Sequence, residues 1–398
     1  MQKRWRLFNA TDFQSLMLPC FTFCRILGLF PYKINLSTFE YSRLRYFLST
    51  VVTCVCCILE LAFIYHIAIS KAIDFGDETR NFEALCFYTC AGFIQITTHV
   101  LSGPRTHLLQ TIFEISLRLP SKSYQKLSRL IHGKDVFGTI LQIVQLYMFF
   151  SKTPLFELTC QNILIQLVTM YLELLMFQMN MLYINCVCIL KACFKKINDT
   201  LVYIKKFVKT DIKPCVPKLM WHMQRNQFVL IQLKDLRKQH LLICKTVQIL
   251  NIIFSIQLVA AIVMSFTEIT FELYSYIVRW NNGILISLNW QFLDVLITSM
   301  TFYIIKLTLL VWICETGKNE AQKIRTTIHD LHNSTSDKKL KYELQLFSLQ
   351  ILHHKNTFSA KGLTIDMTLL TAVSNQSFFL ITKAYIVYIF FLLFLDGG

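Results

Sequence analysis

Four ionisable side chains, Glu60, Glu173, Asp294 and Lys383, lie within runs of sequence that are otherwise apolar. A charge at membrane depth is costly and usually faces a protein interior or a water-filled cavity, so each is a candidate for function. Two readings are open for them. One is a buried network in which Lys383 pairs with Asp294, or secondly with Glu173, to stabilise packing. The other is a ligand pocket in which some of these charges orient a small molecule, with Tyr88, Tyr147, Tyr171 and Trp290 as its aromatic walls. Tyr and Trp also collect in membrane interface belts, which offers the aromatics a plainer role. Lys245 and Lys306 lie near the inner ends of their runs and are expected to snorkel toward the headgroups.

Catalytic chemistry has no comparable signal. The chain carries no Gly-rich phosphate loop, no Gly-x-Ser-x-Gly and no His-Glu-x-x-His. The pair His353-His354 has no nearby Cys or carboxylate to complete a metal site and reads as solvated helix surface. An enzyme is not expected, and neither a cofactor nor a metal.

The elements that must hold these residues follow from composition. Of 398 residues 54% are apolar, 14% aromatic and 16% charged, and the apolar runs recur along the whole chain. That is a membrane composition. Seven runs are long enough for helices across a hydrocarbon core of ~30 Å: 47–69, 84–101, 136–150, 163–190, 242–266, 284–313 and 367–395. The fold expected is all-α, a polytopic membrane protein with seven transmembrane helices. With the directions argued next, Glu60, Glu173, Asp294 and Lys383 share a depth, about 14 to 18 Å from the outer ends of their helices at 1.5 Å per residue.

Direction comes from Lys and Arg, which stay on the cytosolic side. From the amino terminus onward the segments outside the runs hold 7, 2, 6, 1, 12, 1, 8 and 0 of them, so alternate segments hold 33 and 4. The amino terminus is expected in the cytosol and the carboxyl terminus outside, the reverse of the G-protein-coupled receptor arrangement. A net charge of +16 is thereby explained without nucleic acid. Sequons at Asn9, Asn35, Asn198 and Asn333 fall on the cytosolic side in this arrangement.

Two short stretches resemble the insect gustatory receptor family. Arg25-Ile26-Leu27-Gly28-Leu29-Phe30-Pro31-Tyr32 is similar to its short amphipathic amino-terminal segment. Phe358-Ser359-Ala360-Lys361-Gly362-Leu363-Thr364-Ile365-Asp366, followed by Met367-Thr368-Leu369-Leu370, is similar to its approach to the seventh helix. There Gly362 permits a bend and Asp366 can cap the helix that follows. The family's Thr-Tyr and Gln-Phe in helix seven are replaced by Phe379-Leu380 and Ile386-Val387 in the usual register. A register slipped by five finds Ala384-Tyr385 and Phe390-Phe391, which keeps the Tyr and a Phe but not the Gln.

The resemblance implies a ligand-gated, non-selective cation channel subunit in the plasma membrane. It would respond to small tastants such as sugars or bitter compounds and assemble as a tetramer with itself or related subunits. Residues 1–46 would be a cytosolic segment, 47–313 the six-helix ligand bundle with cytosolic extensions, 314–366 a cytosolic anchor, and 367–398 the pore helix and outer tail. Tyr385, Phe390 and Phe391 would then face the pore. Leu340, Leu344, Phe347 and Ile351 make an apolar stripe suited either to the anchor or to a helix lying on the bilayer surface. Two other functions remain in play: an odorant receptor of the same superfamily, and a transporter, which the odd span count and scarcity of Gly disfavour.

Overall fold

A computed structural model describes residues 8–34, 38–75, 78–152, 160–209, 218–281, 290–354, 356–360, 362–369 and 371. Within them the elements run α1 (Phe13–Ile26), β1 (Tyr32–Ile34), β2 (Phe39–Tyr41), α2 (Arg43–Ala68), α3 (Glu78–Val100), α4 (Ser102–Ser116), α5 (Ser121–Lys152), α6 (Cys160–Lys209), α7 (Lys218–Asn281), α8 (Trp290–Ser334), α9 (Lys338–His353), β3 (Ser359–Ala360) and β4 (Leu363–Thr364). Each strand pair is a small antiparallel hairpin, β1 with β2 and β3 with β4.

Four of these helices, α2, α6, α7 and α8, contain stretches long and apolar enough to cross a membrane. The pair α3 and α4 adds a fifth if it counts as one span bent by 63°. The third expected span, 136–150, is the second half of α5, and all but the start of the seventh lies outside the described residues.

Two spans show how one hydropathy serves opposite roles. The apolar window of α6 is 94% buried and that of α2 only 17%. Helix α6 is therefore the core of the bundle, packed on α5, α7 and α8. Helix α2 turns Phe47, Val51, Val55, Ile58 and Leu61 outward, a surface suited to lipid and not to water. Length makes a second point. At 1.5 Å per residue the 64 residues of α7 span about 96 Å, roughly three hydrocarbon cores, so its ends must extend into water.

At the amino end, Phe13, Leu16, Met17, Cys20, Phe21 and Cys24 form one buried face of α1, laid against α5 and α6. Asp12 caps its start. The stop is Gly28, whose φ of 72° lies in the left-handed region that favours glycine. Leu29 N then donates to Cys24 O at 2.8 Å, and Phe30 stacks on Phe21 with ring centroids 5.1 Å apart.

The break between α3 and α4 is repaired from within. Pro104 sits in the first turn of α4, where its missing N–H costs little. Arg105 is buried and donates to Thr98 O at 3.2 Å, one of the carbonyls left open in the last turns of α3, while its guanidinium lies over the Phe254 ring. At the far end Asp337 caps α9 by accepting from the amides of Lys339 and Leu340. The stripe Leu340, Leu344 and Phe347 is buried, and α9 packs on α7 and α8 with Ile351 partly covered.

Candidate functional site

The buried polar groups of the bundle converge where α3, α5, α6, α7 and α8 meet. Glu173 of α6, 6% exposed, accepts from Gln142 Nε2 of α5 at 3.4 Å. Lys306 of α8 lies within electrostatic reach of Glu173, and its ammonium sits 5.7 Å from the ring centres of both Phe302 and Tyr303. The Tyr303 hydroxyl accepts from Gln145 Nε2 at 3.3 Å. On α3, Tyr88 is buried with its hydroxyl 2.9 Å from Thr169 Oγ1 of α6.

Toward the ends of α3 and α7, Arg80 reaches Glu83 at 3.1 Å and Glu272 at 3.4 Å, with Glu268 buried beside Glu83. Glu83, Glu173, Glu268 and Glu272 thus outnumber Arg80 and Lys306. Such an interior favours a ligand that donates hydrogen bonds or carries positive charge, and the rings of Tyr88, Phe302 and Tyr303 supply apolar faces for it.

The expectation for Lys306 needs correction. It does not snorkel: it is 9% exposed and points among aromatic rings toward Glu173. Lys245, by contrast, is exposed. Glu60 is buried on α2 against Gly92 of α3, where a Cβ would collide with its carboxylate. Tyr171 is partly buried and donates to Leu27 O at 3.1 Å, which ties α6 to the end of α1. Tyr147 is 70% exposed on α5 and does not join the cluster. Trp290 and Asp294 occupy the first turns of α8, but their side chains, like Lys383, Tyr385, Phe390 and Phe391, lie outside the described residues.

Sequence reasoning missed Glu83, Glu268 and Glu272. By hydropathy the second span begins at residue 84 and the fifth ends at residue 266, which puts all three carboxylates in loops. The i, i+4 spacing of Glu268 and Glu272 on a continuing helix was the signal that could have found them. Gln142 and Gln145 gave none, because uncharged amides are common on helix surfaces.

A second constellation leads into the seventh expected span. Gly362, φ 87°, turns the β3–β4 hairpin. Asp366 accepts from Thr368 N at 3.1 Å, capping the turn that starts at Met367, and lies 3.8 Å from Lys318 of α8. Hydrogen bonds from the Thr368 hydroxyl and amide, with Lys318 nearby, hold its carboxyl below the ordinary value. Phe358 packs over Gly317, where a Cβ would come within 2.8 Å of its ring, and Asn251 of α7 donates to Thr357 O at 2.8 Å. The segment before the seventh expected span is therefore fastened to both α7 and α8.

A family model described as 7tm Chemosensory receptor matches residues 17–378. The chain is 30% identical over 141 residues to the putative gustatory receptor 28b of Drosophila melanogaster, a match covering 34% of this chain and 30% of that protein's length. Its fold is similar to that of the olfactory receptor OR5 of the insect Machilis hrabei in complex with eugenol. There the TM-score is 0.70 at 11% identity, over 94% of this chain and 98% of that one. Another structure of the same receptor gives a TM-score of 0.68 at 10% identity, covering 93% and 97%.

Proposed function

This chain belongs to the 7tm chemosensory receptor family of insects, and from that premise we propose that it is a gustatory receptor subunit, a ligand-gated, non-selective cation channel for small tastants. The observation that carries the reading is the enclosed arrangement of Glu173, Gln142, Lys306, Tyr303 and Tyr88 among four helices of the bundle. Polar groups at that depth are expensive unless they pair or serve a ligand. Tyr88, Glu173 and Tyr303 contact the tastant from α3, α6 and α8, joined by Tyr171, Trp290 and Asp294.

Ligand binding moves α8 relative to α7, and the bridges from Lys318 to Asp366 and from Asn251 to Thr357 carry that movement to the start of the pore helix. Tyr385, Phe390 and Phe391 line its pore face, while Lys383 points away from the axis toward Asp294. Four ammonium groups at the axis would oppose cation entry, since a unit charge 4 Å from an ion costs about 4 kcal/mol at an effective dielectric of 20. Subunits meet through the cytosolic ends of α7 and α9, where Phe228, Ile231, Tyr342, Leu349 and Leu352 are exposed. Partners are a small-molecule tastant, related subunits in a tetramer, and the bilayer.

The test is expression alone and with related gustatory subunits, with cation current recorded against sugars, bitter compounds and volatile odorants. The expected result is a tastant-evoked current that Glu173→Ala abolishes when currents are normalised to surface level, which that change lowers by leaving Lys306 buried without its carboxylate. Currents evoked by odorants alone would assign the chain to the olfactory branch.

A further inference from the structure

The ends of two spans, each drawn from hydropathy, meet in one contact. The α6 run ends at residue 190 and the α8 run at residue 313. Lys191 Nζ lies 5.5 Å from the centre of the Trp312 ring, and Trp312 is 45% exposed. A half-exposed Trp beneath a Lys is the arrangement favoured at headgroup level.

Immediately beyond this contact, an open cleft of 510 Å³ runs along α8, lined by Thr316, Asn319, Glu320, Gln322, Lys323 and Thr326 with Lys191 of α6 at its edge. It follows α8 for about 15 Å at 1.5 Å per residue. Every side chain that lines it ends in a polar or charged group. Lys195 stands close enough to Lys191 to act on its charge. Glu320 pairs with Lys323 at 2.9 Å.

We propose that this cleft binds the headgroup of a phosphorylated inositol lipid from the cytosolic leaflet. The lysines supply charge for phosphate, and Thr316, Asn319 and Thr326 supply hydrogen-bonding groups. Glu320 would repel a bare phosphate, but it accepts hydrogen bonds from ring hydroxyls, so the mixture suits a phosphorylated polyol. Depth agrees with a lipid source. Lys191 stands at the membrane surface to meet the phosphodiester, and Lys323, in the same cleft and within electrostatic reach of Lys191, meets the ring phosphates. Lys318, which holds Asp366, lies on the same stretch of α8, so an occupied cleft stiffens the attachment of the pore helix. That effect on gating rests on the channel reading; the binding itself does not.

The experiment uses the full-length receptor in phosphatidylcholine nanodiscs containing phosphatidylinositol bisphosphate, phosphatidylinositol, or phosphatidylserine at matched charge. Binding is read by native mass spectrometry and thermal stability, with no current measured. The bisphosphate lipid should bind and raise the melting temperature, and the other two should not. Lys191→Gln and Lys323→Gln should each weaken binding about fivefold, the value of ~1 kcal/mol per basic residue at an anionic surface. Lys191→Arg and the distant Lys126→Gln should match the parent. Equal binding of phosphatidylserine, or equal stabilisation by soluble inositol trisphosphate in detergent, overturns the assignment. So does loss of subunit association in Lys191→Gln with lipid binding unchanged, which would make the cleft a subunit contact.

Discussion

Arg237 of α7 and Glu343 of α9 form an ion pair at 2.7 Å in which the carboxylate side chain is 4% exposed and the guanidinium 31%. The pair holds α9 against α7 across its otherwise apolar stripe. Arg237→Met leaves a buried carboxylate without its cation, at a cost of about 3 kcal/mol. The double change Arg237→Met with Glu343→Met should recover most of it, and a double-mutant cycle on melting of the purified receptor measures the coupling.

His240 sits beside that pair, its Nδ1 accepting from Gln350 Nε2 at 3.1 Å, between the rings of Phe194 and Phe347. Burial, and secondarily His354, pushes it down from 6.5 to about 4. The neutral ring is the folded form, so its contribution is complete above 6.5. As pH falls from 6.5 toward 4, the unfolded chain takes up a proton that the folded one does not, and stability is lost. Melting temperature should drop across that window in the parent. His240→Gln should flatten the drop, and an unchanged slope would remove His240 from the account.

Lys306 acts electrostatically on the buried Glu173 carboxylate. Lys306→Met strands a buried carboxylate and should reduce surface expression by a folding penalty of about 3 kcal/mol. Adding Glu173→Gln should restore part of the expression without restoring ligand response. Normal expression of the single variant would mean that Glu173 draws its support from elsewhere.

Gly92 is fixed by the Glu60 carboxylate that fills the space of its missing side chain. Gly92→Ala should push the Glu60 carboxylate, the end of a flexible side chain, into another rotamer at a cost of about 1 kcal/mol. Glu60→Ala in the same chain should make that alanine tolerable, as thermal melts of the single and double variants would record.

The 33 to 4 division of Lys and Arg predicts the side on which each segment lies. Epitope tags at the amino terminus and within 210–217 should be detected only after permeabilisation, and one within 153–159 in intact cells. Surface labelling of the amino-terminal tag would reverse the orientation and the proposed pocket with it.

Hydropathy by itself determined where the long apolar helices lie, because crossing a hydrocarbon core demands a run of apolar residues whatever the neighbours are. Periodicity also determined local faces, as in the Leu340, Leu344 and Phe347 stripe, and residue type determined the bend at Gly362 and the cap at Asp366. None of these says which way round a helix sits. Depth is a property of position along the chain, whereas azimuth is set by packing against segments more than a hundred residues distant. Glu173 and Lys306 are 133 positions apart and come within electrostatic reach only because α6 and α8 pair along their length. The same packing decided that α6 is buried and α2 faces outward, despite the high hydropathy of both. It also brought Lys191 to Trp312 and Asp366 to Lys318. Such contacts arise from the mutual fit of helix surfaces, which a residue-by-residue transfer free energy does not contain.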